Sequence, residues 1–513
     1  MAELERVNLV VTGHVDHGKS TGLGHMLFLL GQIHDPKKNR EAWRIAEKYY
    51  KDSKNEGMAS WTYAWITQPL MDERARGLTI NISFQEFKTK KYVYNLIDAP
   101  GHSDFVKNMI TGASQADAAI LVVSARKGEF EDGTKSSGSG EGKYQNVIGM
   151  TTEHMLLLVS LGVTDIAVAV NKMDAINWDK ARYEQVKGHI SKILTMLMKA
   201  VKIEDADDRV AKISFVPTSG LLGINMIPKE MTIANLENHI KLATAGKADP
   251  EFIESLTKEL AEVKNQWPDW YTGPTLLDAL DNLPSPAEKK NILEKQSLRV
   301  PIQSSLNISG IGTVLTGRVA SGILKAGDKI VVAPTKLSNQ PTPIDVKSVQ
   351  EFHKEIPSGT PGDNIGFNIK SKNLGAKDIL KGAVVSAAGD PAKVLLPNKD
   401  GFLAMVLVVR SLGKKGKSKD KEWSIHKEYA PVIHVGTAQV TCRVTEMKDL
   451  AGQDIDELKA NQRGMLWFTP VQPVVVEPLT KTSALGRFAI RDSGKTVAVG
   501  IVEKIETGRY ETK

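Results

Sequence analysis

Cysteine is all but missing from this chain: Cys442 is the only one in 513 residues. A single thiol can form neither an internal disulfide nor a cysteine metal cluster, so a disulfide-stapled scaffold is excluded and a reducing cytoplasm is the expected compartment. Long apolar runs are missing too. No stretch approaches the roughly 20 apolar residues that span a bilayer, so no membrane is expected as a partner. The opening MAELERVNLVVTG carries acidic residues and only a short apolar strand, where a signal peptide would need a longer apolar run and a small-residue cleavage site. Charge of one sign is in modest excess: 67 Lys and Arg against 60 Asp and Glu leave a formal +7, which allows a polyanionic partner without requiring one. Short-period repeats and long low-complexity tracts are absent as well. SSGSGEG (136–142) and the lysine-rich GKKGKSKDKE (413–422) read as mobile loops, the second as a solvated segment or a binding patch.

What is present fits a folded multidomain chain. Hydrophobic residues make up 41% and charged residues 25%, and the length suggests about three domains, each able to bury its own core. Up to about Leu283, short β-branched runs (VNLVVTG, YVYNLIDAP, AAILVVSA, DIAVAVNK, ISFVPTSG) alternate with helical patterns, which predicts a mostly parallel sheet with helices on both faces. After the linker LPSPAEKKNILEKQ (283–296) the pattern changes to short alternating strands broken by Gly, Pro and Asp, and a second break near AAGDPAKVLLPNKDG divides that half in two. The expected architecture is an α/β P-loop domain at 1–290, followed by two small antiparallel β-barrels at 297–390 and 396–510.

Directly after the first strand, GHVDHGKS (13–20) satisfies G-x-x-x-x-G-K-[ST] and leads into a helix. Gly13 and Gly18 let the backbone turn its N–H groups of His14, Val15, Asp16 and His17 toward phosphate oxygens, with the helix N-terminus behind them. Lys19 supplies a charge to the β and γ phosphates, Ser20 a hydroxyl for Mg2+, and Thr21 completes the loop. Further elements follow in order, each at the carboxyl end of an expected strand, where open α/β sheets bind ligands. RGLTI offers Thr79 as a second hydroxyl for Mg2+. DAPGH offers Asp98 for a Mg2+-bound water and Gly101, whose N–H can meet the γ phosphate. NKMD gives Asn171, Lys172 and Asp174; a carboxylate accepts both hydrogens of the guanine N1–H and 2-amino edge, which adenine lacks. Ser219, Gly220 and Leu221 can close over the guanine oxygen with a backbone N–H. Any of these alone reads first as an ordinary strand-end turn, but together and in order they read as a site for GTP and GDP.

These motifs, with GIGTVLTGRV and GRFAIRDSGKTVAVG in the later domains, resemble those of the translational GTPases, specifically the elongation factor 1-alpha (elongation factor Tu) family in its archaeal and eukaryotic form, over nearly the whole chain. The resemblance implies a ribosome-stimulated GTP hydrolase. It makes His102, the residue after Asp-x-x-Gly, the group that positions the attacking water, where a plain helix cap is the alternative. It makes Val15 and Leu78 a hydrophobic gate holding His102 back, gives Asp16 a part in binding a monovalent cation, and makes 41–77 the first switch.

The same resemblance bears on cargo. Carriers of aminoacyl-tRNA have the Lys-Asn pair found here as Lys107 and Asn108, beside the 5′ end of the RNA, whereas release and rescue relatives have Pro-Asn. A solvated helix-end lysine is the alternative. SVQEFHKE and PGDNIGF match carrier segments that line the aminoacyl pocket, which nominates His353 and Asn364, although His353 alone reads as a strand residue. Arg487, Arg491, Lys495 and Thr496 suit the phosphates of an RNA duplex, in a motif that release factors share.

Some features depart from the family pattern. MTTEH (150–154) has Thr152 where an arginine is usual, VASG has Ala320 where an acid is usual, and 225–270 is longer and more helical than its counterpart. NKMDAINW and SARKGEF have a termination or rescue character. The expected function is GTP-dependent delivery of aminoacyl-tRNA to the ribosomal A site by a monomer served by a guanine-nucleotide exchange factor. The alternatives are a ribosome-rescue or termination GTPase with a protein cargo, and a GTPase subunit of a metabolic enzyme such as sulfate adenylyltransferase.

Overall fold

Strands covered on both faces can be apolar throughout, and two segments of this chain show it most clearly. In the computed structural model YVYNLID (β3, Tyr92–Asp98) and AAILVVS (β4, Ala118–Ser124) are buried at all seven positions. They flank β1 (Glu5–Thr12) in parallel, with Leu9 opposite Leu96 on one side and Ala118 on the other. β5 (Asp165–Asn171) and β6 (Ser214–Pro217) extend the parallel sheet beyond β4, and β2 (Ser83–Lys88) joins the other edge antiparallel to β3. The strand order β2-β3-β1-β4-β5-β6 sends the chain to opposite sides of β1. A crevice opens at the carboxyl end of such a strand.

The structure describes residues 4–33, 41–58, 61–67, 83–99, 106–113, 116–134, 149–201, 203, 205–351, 354–371, 373–409 and 423–510. The loops expected at 136–142 and 413–422 lie outside the described residues. The chain divides into two compact units, with the main break between Pro284 and Ser285. The linker itself carries a two-turn helix, Ala287–Glu294, begun after Pro286 and with Glu288 in its first turn, where an acid favours the helix N-terminus.

The long segment 225–270 is a helical hairpin. Lys229–Ala245 and Pro250–Gln266 pack on each other; Asp249 caps the second helix by accepting the Glu251 N–H at 3.0 Å, with Pro250 in the first turn. The first helix buries Leu236, His239 and Ala243, and the second buries Phe252, Leu256 and Val263. The helix Ala42–Asn55 packs against this hairpin, with Trp43 buried.

The second unit holds two closed six-stranded barrels. In the first, Arg299–Ile308, Gly312–Arg318, Asn364–Lys370, Thr342–Glu351, Lys329–Thr335 and Ile379–Ala387 pair in that order and close on Arg299–Ile308, around Val300, Ile302, Leu315, Val332, Val346 and Phe367. In the second, Gly401–Val408 pairs with both Arg463–Pro470 and Lys495–Glu506, and the rings of Phe402, Phe468 and Phe488 meet within 5.2–5.9 Å at the centre. Closure removes the open edges that short strands would otherwise present.

Candidate functional site

The loop after β1 is shaped by what a side chain could not occupy. Gly13 has φ 146°, and a Cβ there would lie 2.2 Å from the Val122 carbonyl oxygen; at Gly18, φ 84°, it would lie 2.5 Å from Asn171 Nδ2. Asp16 takes the left-handed conformation as well, with φ 63°. The loop is therefore pressed against β4 and β5, and it leads into the helix Lys19–Leu29. An N–H-lined turn running into a helix N-terminus is an anion cradle.

Lys19 is buried, and its ammonium donates to the His14 carbonyl at 2.8 Å. Burial pulls its pKa down to about 8, against the opposing pull of Asp98 and Asp16. Ser20 Oγ donates to Asp98 Oδ2 at 3.2 Å, which sets a hydroxyl and a carboxylate side by side at the ends of the helix and β3. Hard oxygens of this kind are what Mg2+ takes from a protein while phosphates and waters fill its other positions. Val15 is half-buried in the loop.

Two histidines that the sequence reading left without a role, or with only a loop position, support the cradle. His154, from the helix Met150–Ser160, accepts the Gly13 N–H on Nδ1 at 3.2 Å. His17 sets its ring nitrogens 3.2 Å from the Val122 carbonyl and 3.3 Å from the Glu129 carbonyl. Burial holds both rings neutral: His17 falls to about 3, helped by nearby His14 and Lys19, and His154 falls well below the usual range. No local pattern signals either contact, since 141 residues separate Gly13 from His154.

The base end is joined to the phosphate end through Asn171. Its amide donates to the His17 carbonyl and accepts the Gly220 N–H, both at 2.8 Å. Lys172, at φ 63°, pairs with Glu129 at 2.9 Å. Burial works against the charge on Glu129, but Lys172, Ser124 and Arg126 outweigh it and hold the carboxyl below its usual range. Ser219 is buried and its hydroxyl accepts the Leu222 N–H at 3.2 Å. Asp174 and Leu221 line one open cavity of about 420 Å³, whose other walls include Tyr63 and Glu259.

Leu78, Thr79, Gly101, His102 and His353 lie outside the described residues, as does part of 41–77. Lys107 and Asn108 are in the helix Val106–Ala113. Asn364 is half-buried at the start of its strand, opposite Arg318. At the second barrel Lys495 is exposed and Arg487 half-buried, whereas Arg491 and Thr496 are buried and hydrogen-bond each other at 3.4 Å.

The model of the elongation factor Tu GTP-binding domain matches residues 4–285, that of elongation factor Tu domain 2 matches 312–386, and that of the GTP-eEF1A C-terminal domain matches 419–503. Elongation factor 1-alpha of Aeropyrum pernix is 38% identical over the full length of both chains, and that of Ignicoccus hospitalis is 38% identical over all of this chain and 98% of its own. Among solved structures, the Ski7 GTPase-like domain of S. cerevisiae, bound to GDP and inorganic phosphate, superposes with a TM-score of 0.66 at 16% identity, over 98% of this chain and 97% of its own. Translation elongation factor SelB of Methanococcus maripaludis gives 0.55 at 19%, over 99% and 81%. The last two share the fold. With the loops at the carboxyl ends of β1 and β6 tied together by Asn171, and with identity to these relatives running the length of the chain, the protein belongs to the elongation factor 1-alpha (elongation factor Tu) family of GTP-hydrolysing translation elongation factors.

Proposed function

We propose that this protein binds aminoacyl-tRNA in its GTP state, delivers it to the ribosomal A site and releases it when GTP is hydrolysed to GDP and phosphate. The observation that carries this reading is the double hydrogen bond of Asn171, which connects a phosphate cradle to a base loop, in a chain that matches elongation factor 1-alpha from end to end.

The residues divide the work. Gly13 to Thr21 hold the phosphates, with Lys19 exchanging its carbonyl partner for the β and γ oxygens. Asp174 reads the N1–H and 2-amino edge of guanine, and the loop Ser219–Leu221 reads its oxygen. Mg2+, when bound, neutralises phosphate charge; Ser20, Thr79 and Asp98 are the residues that would hold it or its waters. His102 orients a water in line with the γ phosphate, and Val15 with Leu78 keeps it back until the ribosome engages, so hydrolysis by the protein alone is slow. Lys107, Asn108, His353 and Asn364 serve the acceptor end of the RNA, and the exposed Lys495, with Arg487, its duplex, while the buried Arg491 and Thr496 brace that strand pair from within. The factor works as a cytoplasmic monomer, and an exchange factor removes GDP.

The test is protection of the aminoacyl ester from spontaneous hydrolysis, at fixed salt and Mg2+, by the GTP-analogue and GDP forms. Protection by the GTP-analogue form alone is expected. With nucleotide bound and no protection by either form, the cargo is a protein, as in a rescue or termination factor. If neither RNA nor ribosomes bind, the chain serves a metabolic enzyme instead.

A further inference from the structure

Three segments far apart in sequence meet at one carboxylate. Glu259, on the second helix of the hairpin, lies 2.9 Å from His25 Nε2 through one oxygen and accepts the Tyr63 hydroxyl at 2.7 Å through the other. His25 belongs to the helix that follows the phosphate loop, is fully buried and stacks on Tyr63 with ring centroids 3.8 Å apart. Its other nitrogen, Nδ1, lies 2.9 Å from the Gly220 carbonyl. Both ring nitrogens therefore face oxygens. A carbonyl oxygen can only accept, so Nδ1 donates to Gly220 and Nε2 is left to the Glu259 carboxylate, and the ring is held from both sides.

This contact fixes a peptide plane. The Gly220 carbonyl and the Leu221 N–H belong to one trans peptide unit and point in opposite directions. With the carbonyl held on His25 and the Gly220 N–H on Asn171, the Leu221 N–H is turned away from the helix. Leu221 lines the same cavity as Asp174. We propose that Glu259 is a positioning residue for guanine recognition: through His25 it locks the Gly220–Leu221 peptide so that the Leu221 N–H meets the 6-oxygen of the base. The hairpin thereby becomes part of the specificity apparatus, although Glu259 acts only through His25. This inference rests on the guanine-nucleotide reading above.

Its carrier is well anchored. Asp249 N–H donates to Glu47 at 2.9 Å, Lys51 lies 3.5 Å from Asp249, and the Tyr50 and Phe252 rings meet at 5.6 Å, so the helix bearing Glu259 is fixed at its start.

The probes are GDP and 6-thioguanosine diphosphate, which keeps both donors that Asp174 reads but replaces the oxygen with a weaker acceptor. In the wild type, GDP binds more tightly. In Glu259→Ala the affinity for GDP falls by about tenfold, the worth of one oriented hydrogen bond, while the thio analogue is held almost as before, so the ratio of the two approaches one. Glu259→Gln, which keeps an oxygen for His25, restores the ratio, and Tyr63→Phe leaves it unchanged. If Glu259→Ala loses its native thermal transition, His25→Asn carries the same expectation. A general loosening would weaken both nucleotides equally, and that result, or an unaltered ratio, overturns the proposal. A wild type that binds both probes equally would instead overturn the guanine reading beneath it.

Discussion

Asn171 shows how much one amide can hold. Its two hydrogen bonds tie the phosphate loop to the loop at Gly220, so Asn171→Ala leaves a buried carbonyl and a buried N–H without their partner. Each such group costs about 1–3 kcal/mol, which predicts a loss of GDP affinity of at least about tenfold in a titration with a fluorescent GDP. Unaltered affinity would mean that the two loops find their positions independently. Cys442 supports a second prediction at this scale. It is fully buried in the second barrel, and burial alone pushes its thiol well above the ordinary range. Only a thiolate reacts quickly with a maleimide, so the native protein should resist labelling at pH 8 and take up one equivalent in denaturant. Rapid labelling of the native state would show that the barrel opens. Such residues also mark the limit of reading a sequence. Gly13, Gly18, Lys19 and Ser20 are legible because one turn of backbone must supply all their chemistry in eight consecutive positions. His154, Glu129 and Glu259 act on that site from remote segments, and their contacts exist only once the sheet has brought the segments together.

Among the elements, the helical character of 225–270 was legible only against the family pattern, beside which the segment is longer and more helical. Where it docks was not, since that depends on Trp43, Tyr63 and His25, each of which lies on another segment with an unremarkable pattern of its own. Packing and charge contribute unequally to this docking. Trp43 is 1% exposed, and Gly246 lies close enough that a Cβ there would come within 2.5 Å of the indole. Lys51 reaches Glu47 and Asp249 from a side chain that is 47% exposed. Removing a buried aromatic costs about 3–5 kcal/mol, whereas an exposed ion pair is worth about 1 kcal/mol or less. Trp43→Ala should therefore lower the denaturant midpoint of the first unit strongly, and Lys51→Ala should barely move it. Comparable losses would mean that the helix Ala42–Asn55 is held by charge.

For the molecule as a whole, the second unit depends on a buried ion pair that joins its two barrels. Arg299, 1% exposed, donates to Glu477 at 2.8–3.1 Å, to the Asp390 carboxylate at 3.0 Å, to the Asp390 and Leu298 carbonyls and to Ser297; Thr482 completes Glu477 at 2.6 Å. A network satisfied to this degree offsets the desolvation of its charges, but losing one partner strands the other. Glu477→Ala should destabilise the second unit by about 3–5 kcal/mol. Calorimetry with saturating GDP separates this loss from the first unit, because a bound ligand raises the transition of the unit that binds it. Acid should act on the same network. Burial opposes the charge on Asp390, but Ser297, Arg299 and Lys481 outweigh it and hold its pKa below the ordinary carboxylate value. A group depressed in the folded state stabilises the fold above its unfolded pKa, and that contribution is lost as pH falls through the lower folded value. Asp390→Asn should consequently lower the second transition at pH 7, and the difference from wild type should shrink below about pH 4. A difference that stays constant down to pH 2 would assign the effect of Asp390 to its shape and hydrogen bonds, leaving the charge on Arg299 to be matched by Glu477 alone.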